Sequence, residues 1–374
     1  MRRLERFDPW LLACIGALLA IGLVAVCSAS LDVASVRYGD AWRIARRWLV
    51  YVAVALGTIA IVARIDPKRW RSVAPWAALA APVLLLLPHL PGIGLRANGA
   101  ARWISLAGIS VQPVEIVRVI FVLYAAHFFA TQLEKDAAPP LASFLVWCAL
   151  LEGALLLQPD FGNAALFALL AFGFVVLAGM PVRRWLPLML LAALGFGALL
   201  WIEPYRVQRL MSFLDPWADP FGAGYQLTQS LLAYGAGGLW GAGIGAGVQK
   251  LFYLPEVFTD FIAAAIGEEM GLWGIALVIL AEAGIVLRLL QLAFRQHEPY
   301  QALLLAGVAA AIGLRAVVNL AVTMGLLPTK GLPLPLVSYG GSALWADAFL
   351  LGCAFAVQRR TPLFAALRLK GASG

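Results

Sequence analysis

Residues 251–271, LFYLPEVFTDFIAAAIGEEMG, carry a polar segment straight into a long apolar helix, with an acid, Asp260, at the threshold. An ionised carboxylate placed where hydrocarbon begins is costly, so such a residue marks a functional site and needs a partner. Composition decides that this run does enter hydrocarbon. Of 374 residues, 62% are hydrophobic and only 13% charged, and the mean hydropathy is +0.87, more apolar surface than one water-soluble core can hide. The chain reads as a multi-pass membrane protein.

Working outward from this stretch, runs of about twenty apolar residues, enough to cross a bilayer, fall near 9–30, 45–64, 72–90, 113–132, 140–158, 162–180, 185–202, 260–287, 301–327 and 336–357. They predict an all-α polytopic membrane protein of about ten transmembrane helices, organised as one integral membrane domain over 1–374. The opening MRRLERFDPW precedes a run longer than a signal-peptide core and reads as the start of a retained first span. Cys14, Cys27, Cys148 and Cys353 lie far apart inside apolar runs, with neither metal-ligand spacing nor a disulfide framework. His89, His127 and His297 are equally scattered, which argues against a zinc site. His127, inside a span, reads as a packing residue.

A net charge of +8 would suggest nucleic acid in a soluble protein. Here Lys and Arg gather just outside apolar runs, as positive-inside topology and anionic headgroups produce, and no basic face interleaved with aromatics is present. Their larger share falls on the side of the amino-terminal tail, so both termini are expected in the cytoplasm. Arg37, Arg43, Arg46, Arg47, Arg96, Arg102, Arg206, Arg209, Lys250 and Lys330 fall on the opposite side. An outward surface that binds an anionic substrate or partner accounts for them.

The outward connections 91–112 and 203–259 are too long for simple links. The second is expected to be a large extracytoplasmic loop between helices seven and eight. Within it YQLTQSLLAYG (225–235) reads as a short interfacial helix. GAGGLWGAGIGAG (235–247) holds seven glycines in thirteen residues but neither G-x-G-x-x-G nor a P-loop. It reads as tightly turning backbone that approaches another chain segment or a ligand.

Several further charges lie in apolar surroundings. Glu115 and Arg118, three residues apart, share one face of a helix started by Gln112 and Pro113. Glu115 suits the third helical position as a cap, and Arg118, a turn deeper, needs an anion from among Glu115, Asp160 and Asp260. QPDFG (158–162) repeats the arrangement, leaving Asp160 as either a helix cap or a substrate contact. Glu268 and Glu269 follow Asp260 by eight and nine positions and cannot share its direction on a helix, so at least one is expected to serve packing or the cytoplasmic half. Glu152, Glu282, Arg315 and Asp347 must pair or reach water, with Arg315 expected on Asp347 or Glu282.

Taken together, NGAARWI (98–104), QPVE (112–115), QPDFG (158–162), DPWADPFGAGYQLTQSL (215–231), YLPEVFTDF with GEEMG (253–271) and GLLPTKGLPLPLVSYGGSA (325–343) resemble the SEDS family of bacterial inner-membrane peptidoglycan glycosyltransferases. The resemblance covers nearly the whole chain. SAS (28–30), YLPE (253–256) and PTKG (328–331) are more similar to its division branch than to its elongation branch. It implies ten spans and polymerisation of lipid II, an undecaprenyl-pyrophosphate-linked disaccharide peptide, into glycan strands on the outer face, in septal wall synthesis. It also implies that Asp260 of the TDF motif is catalytic and that the basic residue after QPxE, here Arg118, lies near it. The family usually has Lys at that place; Arg118 keeps the charge, and its planar fork suits pairing or pyrophosphate rather than proton donation. Phe258, Val114 and Ala101 also depart from the family pattern.

Asp260 is accordingly the expected base, with Arg118, Glu115, Gln112, Asp160, Lys330 and Arg102 as substrate-binding candidates and Arg206 and Arg209 as further cations. No metal ligands are assigned; a divalent cation, Mg2+ or Mn2+, is left open as a cofactor. Expected partners are a class B penicillin-binding transpeptidase, division proteins and membrane lipids. The competing functions are a flippase for the lipid-linked precursor, an elongation polymerase and a division scaffold.

Overall fold

The computed structural model describes residues 7–97, 100–106, 109–135, 140–187 and 212–360. Asp8 caps the first helix, α1 (Pro9–Tyr38), accepting hydrogen bonds from the backbone of Trp10 and Leu11, while Pro9 occupies the first turn, where its missing N–H costs nothing. α1 runs past its expected span and stops at Gly39, which takes a left-handed φ of 67°. α2 (Arg43–Val62) and α3 (Pro67–Leu86) follow, with Asp66 capping α3. Pro82 inside α3 frees the carbonyl of Ala78, and the Trp147 indole N–H donates to it at 2.9 Å.

α4 (Pro113–Glu134), α5 (Leu141–Leu157) and α6 (Phe161–Leu177) complete the first half. α7 (Tyr225–Gly237) fills the place expected for a short helix in the long loop. α8 (Ile262–Ala293), α9 (Pro299–Thr323) and α10 (Gly341–Gln358) close the chain. α4 is buried along most of its length and packs against α3, α9 and α10; α8 packs on α1 and α9. Phe121 of α4 anchors an aromatic cluster with Phe144, Trp147 and Phe167.

The expected class is borne out: a mostly helical, multi-pass membrane protein. Seven described helices, α1 to α4 and α8 to α10, are long and apolar enough to span, and α5 and α6 are shorter apolar helices of 17 residues. The span expected at 185–202 extends beyond the described residues, as do Arg206 and Arg209.

One feature departs from an all-helical reading. Three strands, β1 (Gly94–Ala97), β2 (Ala100–Leu106) and β3 (Ile109–Val111), form an antiparallel sheet, with Leu95 paired to Trp103 and Ser105 to Ser110. Strands of three to seven residues give too little alternation to stand out among apolar spans. The sheet lies at the end of the bundle that also holds the 158–161 turn, the 215–261 segment and the 324–340 segment. At the opposite end, ion pairs join Arg71 to Glu134, Arg288 to Asp8 and Arg360 to Asp66.

Candidate active site

Asp260 lies in the loop just ahead of α8, held by its backbone. Glu256, at a left-handed φ of 55°, turns its carbonyl to accept from the N–H groups of Thr259, Asp260 and Phe261. The Phe258 carbonyl accepts from Tyr339 N–H at 2.9 Å. Asn319 of α9 donates from Nδ2 to the carbonyls of Asp260 (2.8 Å) and Leu332 (2.6 Å), tying the TDF segment to the PTKG segment. Gly331 permits that approach: a Cβ there would sit 2.7 Å from Asp260 Oδ2.

The Asp260 carboxylate itself accepts no hydrogen bond and forms no ion pair among the described residues. Burial, then the Glu256 charge, pushes its pKa up to about 7, with Arg315 opposing. Such a group is poised to exchange a proton near neutrality.

Lys330 directly precedes Gly331 in sequence and reaches QPDFG in space. Its ammonium sits 5.4 Å from the centre of the Phe161 ring, and its stem lies against Gly162. Asp160 caps α6, accepting from Asn163 N–H (3.4 Å) and Asn163 Nδ2 (2.8 Å). Arg102 donates to the carbonyls of Gln158 and Pro159 and stands 3.9 Å from the Asp160 carboxylate. The Gln112 backbone N–H donates to Ser342 Oγ. Asp260, Lys330, Asp160, Arg102 and Gln112 therefore share one end of the bundle.

Glu115 and Arg118 stand one layer deeper, in a buried four-charge cluster. Arg118 pairs with Glu115 at 2.9 Å and Asp347 at 2.7 Å. Arg315 binds both oxygens of Glu115, at 2.9 and 2.8 Å, and stands 3.9 Å from Asp347. All four residues are at most 3% exposed. Arg118 thus takes one of its three candidate anions, Glu115, and adds Asp347; it pairs with neither Asp160 nor Asp260. Arg315 reaches Asp347 only at the edge of ion-pair range, and Glu282 is no partner: both its oxygens are buried without a hydrogen bond. Glu115 is not a side-chain cap, because two guanidinium groups compete for it. Arg315 Nε donates to the Pro333 carbonyl, so the cluster braces the segment carrying Lys330 and Gly331.

Glu268 and Glu269 both grip the segment before Asp260. Glu268 accepts from Val248 and Gln249 N–H; Glu269 accepts from Ser28 Oγ, Lys250 Nζ and Gly245 N–H. Backbone N–H groups of Ala242 and Gly243 cap the Glu268 and Glu269 carbonyls where α8 breaks at Gly271. The glycine run makes this contact: Gly241, at φ 84°, would place a Cβ 2.2 Å from the Glu269 carbonyl. Neither glutamate serves the far half of the helix: both lie ahead of the break at Gly271 and hold the 245–250 segment.

Sequence reasoning missed Asn319, although Arg315 and Asn319 stand one turn apart on an otherwise apolar helix, which is a readable signal. Lys250, expected among the outward cations that meet an anionic substrate or partner, is instead buried against Glu269 at 2.7 Å. Among the described residues, no group of three or more His, Cys, Asp or Glu side chains comes together as a metal site.

Residues 9–362 match the FtsW/RodA/SpoVE family model, described as "Cell cycle protein". The chain belongs to this family. It is 40% identical over 364 residues to the probable peptidoglycan glycosyltransferase FtsW of Coxiella burnetii, covering 95% of this chain and 97% of that one. It is 38% identical to the protein of the same name from Thioalkalivibrio sulfidiphilus, covering all of this chain and 95% of the relative. Among solved structures, the rod shape determining protein RodA of Thermus thermophilus superposes with a TM-score of 0.69 at 26% identity, covering 94% and 97% of the two chains. A chain from a structure described as a peptidoglycan synthase complex, coordinating polymerization and crosslinking, superposes at 0.77 with 26% identity, covering 94% and 98%. The matches run nearly end to end, so this family member shares the whole bundle with these relatives.

Proposed function

We propose that this chain is a peptidoglycan glycosyltransferase of the division branch, polymerising lipid II into glycan strands at the outer face of the bacterial inner membrane. Family membership and relatives named FtsW at 38 to 40% identity support the activity and the division role. The observation that supports the chemical assignment is the Asp260 carboxylate, which has no hydrogen-bond or ion-pair partner among the described residues and lies against Gly331, next to Lys330.

Asp260 acts as general base. It takes the proton of the acceptor sugar hydroxyl; that oxygen bonds to the anomeric carbon of the donor, and the bond from that carbon to the undecaprenyl pyrophosphate breaks. Lys330 and Arg102 bind the donor pyrophosphate as counter-ions. Gln112 and Asp160 lie at the same end of the bundle. Glu115 and Arg118 act as positioning residues, bracing the Lys330 segment through Arg315. This end faces the extracytoplasmic side, with the 203–259 segment as its large loop and both termini in the cytoplasm, in keeping with the positive-inside bias. A class B penicillin-binding transpeptidase is the partner within the division machinery, a reading supported by the relative described as part of a peptidoglycan synthase complex.

The test is polymerisation of fluorescent lipid II by the purified protein with its cognate transpeptidase, in the presence of an inhibitor of classical glycosyltransferases. Polymer from wild type and none from Asp260→Asn supports enzyme and base together. Lipid II translocation in vesicles with no polymer from wild type replaces the polymerase by a flippase.

A further inference from the structure

A cleft of about 420 Å³ opens between the start of α7 and the segment that leads to Asp260, lined by Phe221, Tyr225, Gln229, Val248, Gln249 and Tyr253. Tyr225 and Gln229 stand one turn apart on α7 and form one wall. The opposite wall is rigid, because the Glu268 carboxylate clamps the Val248 and Gln249 N–H groups and Leu254 N–H donates back to the Gln249 carbonyl. The volume falls in the range of small-ligand sites.

The lining selects the chemistry. Among the described residues no charged side chain lines the cleft, so an anionic phosphate or peptide carboxylate finds no counter-ion there; nearby Lys250 is buried against Glu269 at 2.7 Å. Gln249 lines the cleft, and its Oε1 is buried without a hydrogen-bond donor among the described residues. Phe221 and Tyr253, 89% and 51% exposed, offer aromatic faces that stay wet unless covered. Aromatic faces beside amides, with no charge, fit a neutral sugar ring. Tyr253 lies seven residues before Asp260, so cleft and carboxylate are at most roughly 25 Å apart, within reach of a short oligosaccharide.

We infer that this cleft is a subsite for sugar rings of the glycan strand, holding the polymer while Asp260 acts on its end. The inference rests on the polymerase reading. Its test compares wild type with Gln249→Ala and Phe221→Ala/Tyr253→Ala in the complex with transpeptidase. Strand length on gels should fall about threefold to tenfold, as expected for losing an aromatic contact, while the initial rate of lipid II consumption holds. Strands of wild-type length overturn the subsite, as does loss of transpeptidase on co-purification, which would make the cleft a protein-docking surface. A second arm needs no turnover: a benzophenone amino acid replacing Phe221 should be labelled by fluorescent uncrosslinked glycan strands, and absence of labelling overturns the inference. Wild-type protein that makes no polymer overturns the polymerase reading itself and is told apart by that arm.

Discussion

Asp260 and Glu115 are both acids set beside apolar helices, and the structure treats them oppositely. Glu115 lies 3% exposed between two arginines, each of its oxygens holding a guanidinium N–H. Asp260, one layer above, has its backbone fixed by Asn319 and Glu256 and its carboxylate left without a partner among the described residues. A satisfied buried charge fixes structure, whereas one held in place but unsatisfied is available to a substrate. The difference separates the layer that performs chemistry from the layer that holds it still, and it can be broken from either side.

The largest effect is expected at the upper layer. Asp260→Asn should lower the polymerisation rate at least about a hundredfold with undiminished thermal stability; near-wild-type turnover would remove Asp260 as base. The lower layer should respond in the other currency. Glu115→Gln leaves Arg118 and Arg315 with one carboxylate between them, and breaking a buried ion cluster in this way costs about 3–5 kcal/mol. Thermal unfolding in detergent measures it, and Glu115→Gln combined with Arg315→Gln, which restores neutrality, should recover part of the loss. A Glu115→Gln protein as stable as wild type that fails to bind lipid II would move Glu115 into the substrate layer.

Much of this was legible in the sequence, for identifiable reasons. Spans are read from unbroken apolar runs, and acids such as Asp260 or Asp160 stand out because hydrocarbon makes them expensive. The pairing of the lower layer was only half legible. Glu115 and Arg118 are helix neighbours, but Arg315 and Asp347 lie about two hundred residues away, on α9 and α10, and only packing decides that Arg315 takes Glu115 rather than Glu282. Asn319 was missed because its role is to bind two backbone carbonyls, which no residue pattern announces. The small sheet was missed because its strands are short.

The third effect concerns pH and has two signs. With Asp260 near 7, the active carboxylate is lost as pH falls, so the rate at pH 6 should lie about tenfold below its plateau at alkaline pH. Stability runs the other way. A carboxyl group whose folded pKa is raised above its unfolded value disfavours the fold once ionised, so its contribution declines as pH rises toward 7. Asp260→Asn should therefore be more thermostable than wild type at pH 8, with the gap narrowing on acidification. A gap that does not change with pH would mean that Asp260 is already paired in the resting protein.

The smallest effect should come from Lys330. Its ammonium rests over Phe161 and beside the loop that touches Asp260, partly open to solvent, where ion pairs are worth about 0.2–1 kcal/mol. Lys330→Gln should therefore raise the KM for lipid II by no more than about fivefold and leave kcat little changed, in contrast to Asp260→Asn. Because a partly solvated contact to pyrophosphate is screened by salt, the difference from wild type should shrink as ionic strength rises. Arg102 is held by the Gln158 and Pro159 carbonyls, so a salt-dependent loss on Arg102→Gln with none on Lys330→Gln would place the pyrophosphate on the sheet side of the site. A fall in kcat on Lys330→Gln would instead join Lys330 to Asp260 in the chemical layer.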